Sequence, residues 1–192
     1  QQMDAVGMPT IVLAGGSMGG VVAQHFALRH PRRIERLLLV ATGGYTANAA
    51  LALEKADALS VAPWNEQSVA PIVDGFFYQR PPDEKIAQYR KIALSASQTA
   101  AVDAARSNAA NRSFDELASI RVPTMIIQGR HDRARTPGHG AEMRDRIAGS
   151  VLEVIEDAGH TPQLEQPQAF HEVALPFLLQ DRQAAKPPTE KS

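Results

Sequence analysis

Thr10-Ile11-Val12-Leu13-Ala14-Gly15-Gly16-Ser17-Met18-Gly19 opens as a short apolar run rich in β-branched residues and closes on glycines. A continuous run of that length, bounded by Gly, reads as a buried strand, Thr10 to Ala14. From Gly19 the period changes. Val21, Val22, Phe26 and Leu28 recur at helical spacing, and the helix should stop at His30, because Pro31 disfavours the α conformation before it. Arg36-Leu-Leu-Leu-Val40 is a second buried strand, closed by Gly43-Gly44. Strand, helix and strand within about thirty residues form a right-handed crossover unit, so the sheet is parallel.

Working outward, residues 42–122 hold no convincing strand. They are Ala-rich with helical spacing, broken at Pro63, Pro71 and Pro81-Pro82. The aromatics Tyr45, Trp64, Phe76, Phe77, Tyr78 and Tyr89 gather there. The expectation is a helical cap over 45–112, inserted between two strands, whose aromatics either pack its helices together or line a substrate pocket. Trp64, Phe76 and Phe77 are the candidates for substrate contact. Strand character returns at Val122 to Gln128. A helix from Thr136 to Ala148 follows, with Pro137 near its first turn, then a strand Val151 to Ile155 and a helix Pro167 to Leu179. The core is therefore expected over 1–44 and 113–180, and residues 181–192 read as a disordered tail. The expected class is α/β, a mostly parallel sheet flanked by helices.

Composition narrows the function. The chain has 192 residues, 44% hydrophobic and 21% charged, with a formal net charge of −1. That length supports one domain with a sizeable core. The balanced charge gives no support to a nucleic-acid or acidic-membrane partner. Cysteine is absent, which excludes disulfides, thiol catalysis and zinc–thiolate sites and suits a reducing compartment. The longest aliphatic run, Leu37 to Ala41, is too short to span a bilayer, and no basic stretch followed by an apolar one opens the chain. A cytoplasmic location is the expectation. Gln1 to Gly7 reads like the last turns of a helix, as though the chain began inside a larger gene product.

Gly15-Gly16-Ser17-Met18-Gly19 fits G-x-S-x-G between a strand and a helix, the context that makes this common pattern specific. A serine on so tight a turn is pushed into the open at the strand's carboxyl end. Gly15 and Gly19 should be required there, since a side chain would collide with strand or helix. The helix N-terminus adds partial positive charge, and the Met18 N–H is placed to hold an oxyanion. The turn is neither G-x-G-x-x-G nor a phosphate loop, which needs Gly-Lys-Ser/Thr.

A serine hydroxyl needs a base, and in chain order an acid and then a histidine should follow. Asp132, in Gln128-Gly-Arg-His-Asp132, lies just past one strand, and His160, in Asp157-Ala-Gly-His160-Thr-Pro, just past the last. Those are the carboxyl ends at which parallel sheets form ligand sites. Asp157 shares the histidine's own loop, so only Asp132 can approach the far ring nitrogen. The other histidines read as ordinary. His25 and His30 belong to the helix after the turn, His131 points to the opposite side of its turn from Asp132, and His139 and His171 sit in helical stretches. A metal site on His131 and His139 lacks a third ligand.

Leu13-Ala-Gly-Gly-Ser17-Met-Gly-Gly20 resembles the nucleophile elbow of α/β-hydrolases. Ile127-Gln-Gly-Arg-His-Asp132 and Gly159-His160-Thr-Pro-Gln-Leu-Glu-Gln-Pro167 resemble that superfamily's acid and histidine loops. The resemblance runs from Met3 to about Leu179, and within the superfamily it is to the carboxylesterase, enol-lactonase and carbon–carbon-bond hydrolase branch. A serine nucleophile argues against the dehalogenase and epoxide hydrolase branches, which use Asp there. The resemblance implies acyl transfer from an ester or lactone, with Ser17, Asp132 and His160 catalytic and no cofactor. It also implies that the chain starts just before the fifth strand of the family's sheet, without the loop that gives the second oxyanion donor. Self-association, or pairing with a missing N-terminal half, is then expected, because the strand at Thr10 to Ala14 would have an open edge. Two alternatives stand beside the esterase reading: a carbon–carbon-bond hydrolase acting on a vinylogous diketone, and a catalytically silent fragment or binding module.

Overall fold

The structure, a computed structural model, describes residues 7–180. The helix end expected before Gly7 and the tail expected over 181–192 lie outside them. Four strands, β1 (Ile11–Gly16), β2 (Ile34–Val40), β3 (Thr124–Gly129) and β4 (Val151–Ile155), form one sheet in the order β1-β2-β3-β4. Every pairing is parallel.

Register explains why the loops converge. Gly16 lies opposite Val40, Val40 opposite Ile127, and Gly129 opposite Ile155. All four strands thus end at nearly one level, with about 4.8 Å between neighbours. Whatever follows each strand falls within side-chain reach of the next loop.

The apolar runs are continuous because both faces of the sheet are covered. In β2, Leu37 and Leu39 face one way, against Ala23, Ala27, Ile126, Met143 and Ile147. Leu38 and Val40 face the other way, against Met125, Ile127 and Ala174. The first layer is closed by helices α1 (Met18–Arg29) and α6 (Pro137–Arg146). The second is closed by α8 (Pro167–Leu179), which follows the one-turn α7 (Pro162–Glu165). Helix α1 ends at Arg29, as Pro31 requires, and the His30 N–H caps onto the Phe26 carbonyl. Its buried stripe is Gly20, Val21, Ala23, Gln24 and Ala27, while Val22 points to solvent.

Between β2 and β3 the chain forms α2 (Ala49–Val61), α3 (Glu66–Asp74), α4 (Asp83–Leu94) and α5 (Gln98–Ala109). Helix α2 packs on α5, and α3 on α4. Pro71 lies inside α3 rather than ending it. Both Pro71 and Gln67, whose carbonyl loses the donor at position 71, are exposed, so water can take the place of the missing N–H.

Candidate active site

The turn after β1 is built on strain that its surroundings hold in place. Ser17 sits at φ +50° and ψ −120°, a region costing a non-glycine residue about 1–3 kcal/mol. Its N–H donates to the Val40 carbonyl at 2.8 Å, and its own carbonyl accepts the Thr42 hydroxyl at 2.7 Å. Met18 is the first residue of α1, so its N–H has no acceptor within the helix and points outward with the helix's positive end.

The two glycines expected to be sterically required differ. A Cβ at Gly15 would lie 2.4 Å from the Gly19 carbonyl oxygen and 2.9 Å from the Ala23 Cβ, so strand and helix meet only because Gly15 is bare. A Cβ at Gly19 meets nothing within 4 Å. The second close approach is one residue later, at Gly20, where a Cβ would lie 2.6 Å from Thr42. The requirement moves because Thr42, the residue holding the Ser17 carbonyl, presses against Gly20 and not Gly19.

Asp132 and His160 come to this serine from the next strand ends. His160 Nε2 is 2.8 Å from Ser17 Oγ, and His160 Nδ1 is 2.7 Å from Asp132 Oδ2. The other carboxylate oxygen, Oδ1, accepts the Ala134 and Arg135 N–H groups, both at 2.8 Å. Asp132 is 3% exposed and His160 9%, so their hydrogen bond is nearly dry, while the Ser17 end is half-buried. Asp157 is an exposed turn residue at φ +52°. The structure therefore joins Ser17, His160 and Asp132 and leaves Asp157 outside.

The helical insertion meets the catalytic histidine at Phe76. The Phe76 carbonyl accepts the His160 N–H at 2.7 Å, and its ring lies 5.3 Å from the imidazole. Phe77 turns inward, stacked on Tyr89 at 5.4 Å. With Trp64 it packs on Val69, Val73 and Ile86 in the insertion's own small core. Of the three aromatics expected at the substrate, Phe76 alone is beside the histidine. Trp64 and Phe77 fill the space among helices, since so small a unit has little else large enough to bury. A groove of about 680 Å³ opens next to Met18, between Val21, Val22 and His25 of α1 and Asp103, Ala104 and Ser107 of α5. None of its α5 lining was expected from the sequence, because small and polar residues carry no pocket signature.

Behind Asp132, the buried Arg135 guanidinium reaches the Tyr45 carbonyl at 3.1 Å, the Thr46 hydroxyl at 3.3 Å and the Asn108 side-chain oxygen at 3.4 Å. It thereby ties the acid loop to both ends of the insertion. Burial lowers its pKa, and Asp132 opposes that shift. His139 is likewise pushed below the ordinary histidine value, first by burial and then by Arg135. His131 stacks face to face on Tyr78 at 3.7 Å. His25 Nε2 meets Asn111 Oδ1 at 3.1 Å. Among the described residues, no group of three or more His, Cys, Asp or Glu is placed to hold a metal ion, and no helix is long and apolar enough to cross a membrane.

A strained serine turn on a parallel sheet, with a carboxylate and an imidazole on successive strand ends, defines a class, and comparison with known proteins places the chain in it. The profile of the Alpha/beta hydrolase family matches residues 1–173, and the chain belongs to that family. It is 29% identical over 188 residues to 2-hydroxy-6-oxo-6-phenylhexa-2,4-dienoate hydrolase of Comamonas testosteroni, covering 93% of this chain and 66% of the relative. The chain thus spans just under two thirds of that relative's length. Among solved structures, a hydrolase from Pseudomonas aeruginosa PA01 superposes with a TM-score of 0.85 at 27% identity, covering 94% of this chain and 68% of that one. The enol-lactonase from Burkholderia xenovorans LB400 gives 0.84 at 25% identity, covering 93% and 69%.

Proposed function

We propose that this chain is the catalytic part of a serine hydrolase that cleaves a carboxylic ester or lactone through an acyl-enzyme on Ser17. One observation carries the reading: an unbroken run from Ser17 Oγ through the His160 imidazole to Asp132, with contacts of 2.8 and 2.7 Å. His160 Nε2 takes the hydroxyl proton as Ser17 attacks the carbonyl carbon, and the tetrahedral oxyanion develops against the Met18 N–H. Breakdown expels the alcohol, which leaves with the proton His160 returns to it. Water, deprotonated by the same nitrogen, then releases the acid. Asp132 keeps the proton of neutral His160 on Nδ1, so that Nε2 is free to accept. The helical insertion acts as a cap: Phe76 covers the histidine, and the groove beside Met18 offers room for one arm of the substrate.

A second reading has its own support. The Comamonas relative is named for a 6-oxo-dienoate, a ketone without an ester link. Hydrolysis of such a compound by the same residues would sever a carbon–carbon bond beside the carbonyl.

The test uses a fluorophosphonate, which adds covalently to an activated serine. Ser17 is expected to be the one serine modified, as read by mass spectrometry of the digest, and Ser17→Ala should abolish the adduct. Modification elsewhere, or modification that survives Ser17→Ala, overturns the reading. A panel of esters, lactones and vinylogous diketones then separates the two substrate classes by kcat/KM.

A further inference from the structure

Glu165 takes no part in the chemistry above, yet its carboxylate gathers four donors. Oε1 accepts the Gly159 N–H at 2.9 Å, the Thr161 N–H at 3.2 Å and the Thr161 hydroxyl at 3.0 Å. Oε2 accepts the Tyr78 N–H at 2.7 Å. Gly159 and Thr161 are the two residues flanking His160, and Tyr78 belongs to the insertion. One side chain therefore fixes the histidine's backbone on both sides and fastens the turn at 76–78 to it.

The local fold places that carboxylate. Helix α7 lasts one turn before Pro167 starts α8, and the Glu165 N–H returns to the Thr161 carbonyl at 3.0 Å, so its side chain curls back over the histidine loop. The loop has no slack. A Cβ at Gly159 would lie 2.7 Å from the Tyr78 nitrogen and 2.8 Å from the Phe76 oxygen. Beneath Glu165, the His160 N–H holds the Phe76 carbonyl, which makes two parallel ties between the loop and the insertion.

We infer that Glu165 is a positioning residue: it latches residues 76–78 of the insertion onto the His160 loop and so holds the imidazole in line between Ser17 and Asp132. The inference rests on the proposed function for the meaning of that line. The latch itself rests on the four hydrogen bonds. Glutamine cannot replace the carboxylate. It keeps one acceptor oxygen, and its NH2 must oppose either the Tyr78 N–H or the donors around His160. Turned toward Tyr78 the amide breaks the tie to the insertion, and turned toward the loop it opposes the donors beside His160; either way the imidazole is held less firmly in line.

The experiment compares the full chain with Glu165→Gln, measuring the rate of fluorophosphonate addition at Ser17 for each titratable site, and backbone hydrogen exchange in the same samples. The variant should react about tenfold or more slowly, the scale of one lost hydrogen bond to a charged acceptor, yet reach the same final stoichiometry. With a small acetate ester the loss should fall on kcat and leave KM nearly unchanged. Exchange at Tyr78 and Gly159 should quicken while the β2 and β3 amides keep their protection. A general loss of structure would instead lower the titratable fraction and leave the rate per site alone. An unaltered rate per site, or a Tyr78 amide that exchanges freely in the parent chain, overturns the inference. Should the parent fail to react at Ser17, the proposed function falls and exchange alone decides the latch. Should the variant not fold, exchange in the parent decides in the same way, with common protection at Tyr78 and Gly159 supporting it.

Discussion

Replacing Asp132 by asparagine tests the relay more sharply than removing the serine does, because its effect turns on which way one amide faces. Asp132 uses both oxygens: Oδ1 accepts two N–H groups, from Ala134 and Arg135, and Oδ2 faces His160 Nδ1. Asparagine offers one acceptor. Turning its NH2 toward the backbone would leave two donors opposed, one buried and one partly buried, at about 1–3 kcal/mol for the buried one. Turning the NH2 toward His160 loses only one partner, so that orientation prevails. The amide then donates to Nδ1 and the ring carries its proton on Nε2, the nitrogen 2.8 Å from Ser17 Oγ. In that tautomer the ring cannot accept the hydroxyl proton. Turnover should fall by up to about ten-thousand-fold, the scale established for such tautomer errors in other triads, or roughly 5 kcal/mol on the barrier. The melting temperature should move little, since both backbone bonds persist. The assay is p-nitrophenol release from a short acyl ester, with active sites counted by fluorophosphonate. A loss below about tenfold, or roughly 1.4 kcal/mol, refutes the reasoning. So does an Asp157→Asn variant more damaged than Asp132→Asn.

Four further outcomes are expected. Ser17→Ala should abolish both ester turnover and covalent labelling at unchanged melting temperature; residual labelling at another serine would contradict this. Phe76→Ala should alter the preference among acyl lengths more than it alters turnover of a small acetate ester, whereas Trp64→Ala should chiefly lower the melting temperature; the reverse pattern would mean that the two rings have been assigned to the wrong places. Because burial and Arg135 hold the pKa of His139 below the ordinary 6.5 in the folded chain, the unfolded chain binds more protons below that value, so His139's contribution is complete above it and lost as pH falls. His139→Asn should therefore flatten the fall in melting temperature between about pH 7 and about pH 5, and an unchanged slope would assign the effect elsewhere. Finally, β1 pairs with β2 alone among the described residues, and Val12 is 39% exposed along it. The chain should self-associate through that edge, and Val12→Lys should reduce the association in light scattering of a dilution series; a monomer at every concentration would refute it.

The parts that could be read from the sequence are those where burial dictates residue type. Leu37 to Val40 is apolar at every position because both faces of β2 are covered, and the last strand and helix fell at Val151–Ile155 and Pro167–Leu179 as expected. Ser17, Asp132 and His160 stood out because each follows a short run rich in apolar or β-branched residues, and a parallel register brings strand ends together whatever lies between them. What escaped reading depends on backbone atoms or on shape. Trp64 and Phe77 have the same apolar signature whether they line a cleft or fill a helical core, and only the packing of α3 on α4 separates the two. Gly19 and Gly20 are the same letter, and it is the position of Thr42 that makes one dispensable and the other not.

Glu165 is the strongest case. Its partners are the amides of Tyr78, Gly159 and Thr161 and one hydroxyl, and every residue but proline carries an amide. A carboxylate that binds other side chains leaves a charge or spacing pattern at both ends of the contact, while one that binds backbone leaves a mark at one end only. A hydrolase's catalytic groups can thus be found by their chemistry, whereas the side chain that aims them is found only when the loops are seen in place.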